Sequence, residues 1–137
     1  DHLVTEVLEH NLFLPAACQG AVGVQAFKSS EVKKILAPIN DLKTQTECMA
    51  ERRVLKIINA NCNSPVSIYA NINKNIISLK FEMFDHQGNK IFKTSKEDLK
   101  ENYFKLCDEL GEEIINVVGQ TKINELDNLK SDFDYTP

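Results

Sequence analysis

Two groups of residues have the chemistry to do more than pack. Arg52 and Arg53 follow Ala50-Glu51, and nine residues past Arg53 a single thiol, Cys62, sits in Asn61-Cys62-Asn63-Ser64-Pro65. A cysteine can fill a core, ligate a metal, attack an electrophile or hold a group covalently. Cys62 lies in a polar, proline-ended stretch of the kind that forms surface loops, where a side chain can reach a cleft. On pattern alone it reads as an inert loop thiol or as an attachment point. A turnover nucleophile is a poorer reading. That chemistry needs a histidine base within hydrogen-bond reach, and the nearest in sequence, His86, falls in a turn beyond the next strands. The preceding helix would also direct its negative C-terminal end at Cys62, which disfavours a thiolate.

The arginines suit carboxylates, because the planar guanidinium binds them through two parallel hydrogen bonds. Adjacent helical residues point about 100° apart, so Arg52 and Arg53 cannot share one task. One is expected to meet solvent or a carboxylate such as Glu51, and the other a ligand. Arg52 lies some ~10 Å along the axis from the helix end, so one ligand reaching both Arg52 and Cys62 must be extended.

The other cysteines are Cys18, Cys48 and Cys107. No C-x-x-C occurs, and His2, His10 and His86 form no ligand pattern with them, so no metal site is expected. Cys48 and Cys107 fall on amphipathic helices and read as core fillers. Cys18 lies in Leu14-Pro15-Ala16-Ala17-Cys18-Gln19-Gly20-Ala21-Val22-Gly23, whose proline and glycines mark a closely turning backbone.

Several elements must hold these residues. Asp1–His10 has apolar residues at helical spacing. Ala21–Phe27 reads as a short buried strand, and Glu31–Ala37 as a helix capped by Ser29-Ser30. A boundary falls in Asn40–Lys43. The arginine-bearing helix is expected to start at Thr44 or Thr46, through a Thr44-x-x-Glu47 capping box, and to stop near Asn59. Its expected apolar stripe is Met49, Leu55 and Ile58. Val66–Asn73, Ile76–Asp85 and Lys90–Thr94 read as three antiparallel strands joined by short turns. A long helix from Ser95 to about Val118 would cover their apolar face, broken by Gly119. A short helix over 122–129 and a frayed tail from Ser131 follow.

The 137 residues, 42% hydrophobic and 26% charged, suit a globular domain with a real core. The net charge of −4 and the lack of a basic run argue against a nucleic-acid partner. No apolar run approaches the ~20 residues of a membrane span, and no secretory pattern opens the chain. A reduced, cytoplasmic setting fits the cysteine usage. Starting at Asp1, the chain reads as processed or excised from something longer.

Two blocks resemble the porphobilinogen deaminase (hydroxymethylbilane synthase) family. Leu14–Gly23 is similar to its L-P-A-x-G-Q-G-A-[LV]-G segment. Ala50-Glu51-Arg52, followed by Asn61-Cys62-Asn63-Ser64-Pro65-Val66-Ser67-Ile68-Tyr69-Ala70, resembles A-E-R…G-G-C-Q-V-P-[IV]-G-x-Y-A. The resemblance implies an α/β (α+β) fold: a three-stranded antiparallel sheet covered on one face by helices, the family's third domain, over residues 41–137. Residues 1–40 would be a helix–strand–helix remnant of domains 2 and 1. It implies a dipyrromethane cofactor held by Cys62 through a thioether, with Arg52, Gln19 and Gly20 contacting it. Four porphobilinogen molecules are then joined into hydroxymethylbilane. The implied partners are porphobilinogen and domains 1 and 2 of the same enzyme, monomeric at full length, with no nucleic acid and no membrane. The family's catalytic aspartate belongs to the earlier domains, so no catalytic residue is expected here and the chain alone should be inactive. Departures are Ala60-Asn61 for Gly-Gly, Asn63-Ser64 for Gln-Val, and Cys18 for a glycine. Beside this stands another reading, a small α/β interaction or regulatory domain with incidental cysteines.

Overall fold

The strongest pattern in the chain, the alternation from Ile77 to Met83, forms the middle of the structure. A computed structural model describes residues 3–10, 12–61 and 63–127. Strands β1 (Val66–Asn73), β2 (Ile76–Phe84) and β3 (Lys90–Leu99) form one antiparallel sheet in the order β1-β2-β3. Ile68 faces Phe81 and Ile72 faces Ile77, and on the other side Met83 faces Phe92. Ile68, Ala70, Ile72, Ile77, Leu79, Phe81 and Met83 are all buried on one face. This is the period-2 consequence of pleating.

Helices α2 (Leu42–Ile57) and α3 (Tyr103–Val118) cover that face, and α4 (Gln120–Asp127) closes one end. Ala50 and Val54 of α2, with its C-cap Ile58, meet Leu106, Cys107, Leu110 and Ile114 of α3 in one core with the sheet. Gly111 lets the two helices approach. A Cβ there would lie 2.4 Å from Ile57 Cγ2 and 2.9 Å from Ile57 Cβ. The fold expected by resemblance for residues 41–137 is therefore present through residue 127.

Several expectations are corrected. α2 begins at Leu42, capped by Asp41, whose Oδ1 accepts from Thr44 N at 2.6 Å. The Thr44-x-x-Glu47 box is not used, because Glu47 turns to the sheet and accepts from Ile72 N. Of the expected α2 stripe, Ile58 is buried and Leu55 packs against the core, but Met49 is 46% exposed, and Ala50, Glu51 and Val54 are the residues α2 buries. β3 continues through Ser95–Leu99, where a helix is expected, because β2 still offers partners: Leu79 pairs with Lys96 and Ile77 with Asp98. A 3-10 turn, Lys100–Asn102, then leads into α3.

Residues 3–10 form no helix, and 21–27 form no strand. Val22 and Phe27 are 92% and 94% exposed. An isolated strand has nothing to satisfy its backbone or cover its side chains, and no described segment pairs with 21–27. Helix α1 (Ser30–Leu36) does form, capped by Ser29 Oγ, which accepts from Val32 N at 3.1 Å. The expected tail from Ser131, and the last residues of the 122–129 helix, lie outside the described residues.

Candidate functional site: a cleft beside the arginine-bearing helix

β1 is an edge strand, and an open edge presents unpaired N–H groups. Three of them are satisfied from one side. Ile68 N donates to the Pro15 carbonyl at 3.2 Å, Ala70 N to Glu51 Oε1 at 2.7 Å, and Ile72 N to Glu47 Oε1 at 2.6 Å. Glu47 and Glu51 stand one turn apart on α2, so one helix face supplies a row of acceptors to the strand. The second oxygen of Glu51 accepts from Cys18 N at 2.6 Å. One carboxylate thereby fixes the Pro15–Gly20 segment, the edge strand and the helix to each other. Glu51 is only 5% exposed. Burial raises its pKa above the usual carboxylate value, and the Ala70 and Cys18 hydrogen bonds oppose that rise.

Cys18 is held in the left-handed region, at φ 58. This conformation favours glycine, and a side chain there costs roughly 1–2 kcal/mol. Gln19 and Gly20 follow in the turn closed by Gln19 N donating to Ala16 O and Ala21 N to Cys18 O, each at 3.1 Å, with Gly20 at φ 85. Both are exposed. The Cys18 Sγ contacts the Cys48 carbonyl at 3.7 Å. Its pKa is pushed up to about 12, first by burial, then by Cys48 and Glu51, with Arg52 acting the other way. Cys18 is thus a protonated thiol at neutral pH, poorly suited to capture an electrophile.

Between this turn, residues 21–28, α1 and the first half of α2 lies a cleft of about 960 Å³. Cys18, Val22, Phe27, Cys48, Met49 and Arg52 line it. Lys28 and Lys33 also line it. The two arginines divide as their spacing on the helix requires. Arg53 is committed to the fold: Nε and Nη2 each donate to Asp108 at 2.8 Å, and the guanidinium lies 4.9 Å from the Phe104 ring centre. Arg52 is exposed on the cleft and makes no hydrogen bond or ion pair with any described residue. Cys48 corrects an expectation, because it is half-buried on the cleft wall and not in the core. It precedes the buried Ala50–Glu51 face by two residues, a rotation of about 200° on the helix. Cys107 is buried as expected, against the Ala50 carbonyl.

Cys62 lies outside the described residues. Its flanks are positioned by the end of α2, where Asn59 takes φ 56 and Ala60 N donates to Leu55 O at 2.9 Å. Asn61 Oδ1 accepts from Asn63 N at 2.8 Å, and Ser64 Oγ accepts from Asn61 N at 2.7 Å and donates to Asp127 of α4. Gln120 Nε2 donates to Ile58 O at 3.1 Å. The residues that depart from the family motif therefore build a turn of their own, tied to α4. Gln19, Gly20, Asn61 and Asn63 do not line the cleft that holds Arg52.

Sequence reasoning missed Glu51, whose tie to Cys18 N and Ala70 N joins the two sequence blocks. Its acidic type next to two arginines suggested a salt bridge, and only its position on the buried side of α2 signalled otherwise. Among the described residues, no group of three or more His, Cys, Asp or Glu is placed to hold a metal. No helix among them is long and apolar enough to cross a membrane.

Fold and cleft together define a small α/β domain that carries, on a ligand-sized opening, an arginine with no partner among the described residues. The family model described as "Porphobilinogen deaminase, C-terminal domain" matches residues 45–116. The chain belongs to that family. It is 30% identical over 124 residues to the porphobilinogen deaminase of Carboxydothermus hydrogenoformans, an overlap of 90% of this chain and 40% of that protein. With the Clostridium kluyveri porphobilinogen deaminase it shares 34% over 116 residues, or 83% of this chain and 39% of the relative. A probable porphobilinogen deaminase of Picrophilus torridus is 39% identical over 75 residues, 55% of this chain and 26% of the relative. The chain thus spans about 40% of the length of the first two relatives.

Proposed function

We propose that this chain is the cofactor-bearing portion of a transferase that joins four porphobilinogen molecules into hydroxymethylbilane, in tetrapyrrole biosynthesis in the cytoplasm. Cys62 is the attachment point of a dipyrromethane group through a thioether. Residues 1–40 belong with domains 1 and 2 of the enzyme, and residues 41–137 form the attachment domain. The observation that carries this reading is the division of labour between neighbouring arginines, with Arg53 locked to Asp108 and Arg52 at the cleft without a partner among the described residues. A guanidinium suits the acetate and propionate groups of pyrroles, and Lys28 and Lys33 add positive charge to the cleft lining. The donor set fits a polycarboxylate.

In this role Arg52 orients a carboxylate, Gln19 and Gly20 offer the turn before the cleft, and Cys62 carries the group through its sulphur. The bound group would supply the primer on which the chain of pyrroles is extended. The raised pKa of Cys18 makes it a poor competitor for an electrophile.

The test joins this chain to the preceding domains of the Clostridium kluyveri relative and measures intact mass with peptide mapping. An adduct of two pyrrole units on the Cys62 peptide, lost together with hydroxymethylbilane formation in Cys62→Ser, is expected. An adduct and activity that survive Cys62→Ser would refute the assignment.

A further inference from the structure

Cys18 and Cys48 meet on the cleft wall, and nothing in the proposed reaction uses either. Two independent contacts set Cys18 over one turn of α2. Its backbone N–H is held by Glu51, and its sulphur lies 3.7 Å from the carbonyl oxygen of Cys48 itself. Glu51 follows Cys48 by three residues, so both contacts lie on the same stretch of helix. Both thiols are half-buried, and both border an opening that admits small molecules. Cys107, by contrast, is sealed in the core.

We propose that Cys18 and Cys48 form a reversible dithiol–disulfide pair that locks the Pro15–Gly20 turn onto α2 beside Arg52. The oxidant is a low-molecular-weight disulfide such as oxidised glutathione. The Cys48 thiolate attacks one sulphur of that disulfide, whose S–S bond breaks and releases one thiolate. The Cys18 sulphur, giving its proton to solvent, then attacks the Cys48 sulphur of the mixed disulfide and expels the second thiolate. Two electrons pass from the protein thiols to the small disulfide, which leaves as two thiols. The second step is intramolecular, so the geometry at Cys18 matters more than its acidity. Burial first, then Cys48 and Glu51, push the Cys18 pKa up to about 12, so Cys18 is assigned the resolving step.

The lock would add a covalent tie to a segment held by the buried Leu14, by Ala17 against the core, and by hydrogen bonds from Cys18 N and to the Pro15 carbonyl. Oxidation therefore holds the cleft wall and should slow cleavage of residues 12–20 by proteases.

The experiment equilibrates the full chain in mixtures of reduced and oxidised glutathione, blocks free thiols and maps peptides. A cross-linked Cys18–Cys48 peptide is expected, reversed by excess reductant and absent in Cys18→Ser and in Cys48→Ser. Limited proteolysis within residues 12–20 should slow at least severalfold in the oxidised chain and not in either variant. A trivalent arsenical, which bridges two close thiols, should bind the reduced chain and lose most of its affinity in both variants. Glutathione left on a single cysteine, a Cys18–Cys62 link, or arsenical binding that survives both substitutions would overturn the proposal.

Discussion

Replacing Glu51 by glutamine keeps the shape of the side chain and removes one of its two acceptors. Glu51 now serves Cys18 N at 2.6 Å and Ala70 N at 2.7 Å. Whichever way the new amide turns, one of these backbone donors faces another donor. The Ala70 N–H is buried in the sheet edge, so the carbonyl should stay there and the Cys18 end should be lost. A hydrogen bond to a charged acceptor contributes about 1.5–3 kcal/mol. Against that loss stands the relief of burying an ionised carboxylate, which is the largest influence on its pKa. The two partly cancel for global stability, where a decrease of about 1 kcal/mol is expected. They do not cancel for the 14–20 segment, which loses an anchor outright. The reporter is the Ile68 N–H, bonded to the Pro15 carbonyl. Its hydrogen exchange should accelerate roughly 10- to 100-fold at fixed pH, the factor matching that anchor. The pH dependence has a defined sign. A carboxyl whose folded pKa is raised stabilises the fold most below its unfolded value, and that contribution is lost as pH rises through the folded value. The variant has no such group, so its stability deficit should narrow as pH rises from about 4.5, the reference value for glutamate. Unchanged exchange at Ile68, or a deficit that widens with pH, would refute the assignment of Glu51 as the joint.

Two further predictions concern the frame that holds the site. Gly111→Ala should lower stability in chemical denaturation, because the new methyl meets Ile57 at its Cβ, where rotation gives no relief. The expected net cost is about 1–2 kcal/mol, an overpacking penalty of ~1–3 reduced by the better helix propensity of alanine, and adding Ile57→Ala should show a favourable coupling between the two sites. Removing Lys90 and Lys93 together should cost about 1–3 kcal/mol at neutral pH, since Glu82, 5% exposed, would lose both ion-pair partners. Burial alone would raise the Glu82 pKa, but the lysines pull it below the usual value. The wild type therefore loses stability as pH falls through that lowered value, whereas the double variant, with burial unopposed, should gain on acidification, so their difference shrinks toward low pH in thermal melts.

How far these features could be read in advance depended on whether neighbours in sequence were also neighbours in space. β1 and β2 matched their expected spans nearly to the residue, because Ile77 to Met83 alternates strictly and the Lys74-Asn75 turn is short. β3 ran five residues past its expected end because Ser95 to Asp98 carries no apolar signal. Its inward side chains are polar ones satisfied from α3, with Lys96 Nζ 2.7 Å from Glu113 and Thr94 Oγ1 2.9 Å from the same carboxylate. A hydrophobic pattern could not announce a strand whose inner face is closed by an ion pair. The same blindness explains Glu51. Burial period on a helix is normally read from apolar residues, and the α2 face against β1 substitutes carboxylates at positions 47 and 51 for two of them.

That substitution also explains why the site and the fold are difficult to separate in this chain. An edge strand has to be protected, and here the protection is one backbone carbonyl from the Leu14–Gly23 block and two glutamates from the arginine-bearing helix. The contacts that hide the β1 edge are the contacts that bring the Cys18 turn against α2 and so form one wall of the cleft. Arg52 follows Glu51 by one residue, and the ~100° step of a helix then places it off the buried face, toward that wall. Arg53, another step round, reaches α3 and Asp108. Shifting Glu51 by a single position would therefore expose the strand edge, release the turn and rotate the free guanidinium away from the cleft together. The Ala50-Glu51-Arg52 order thus puts edge protection and the cleft-lining guanidinium on the same turn of helix, and a chain that moved either residue would have to rebuild both.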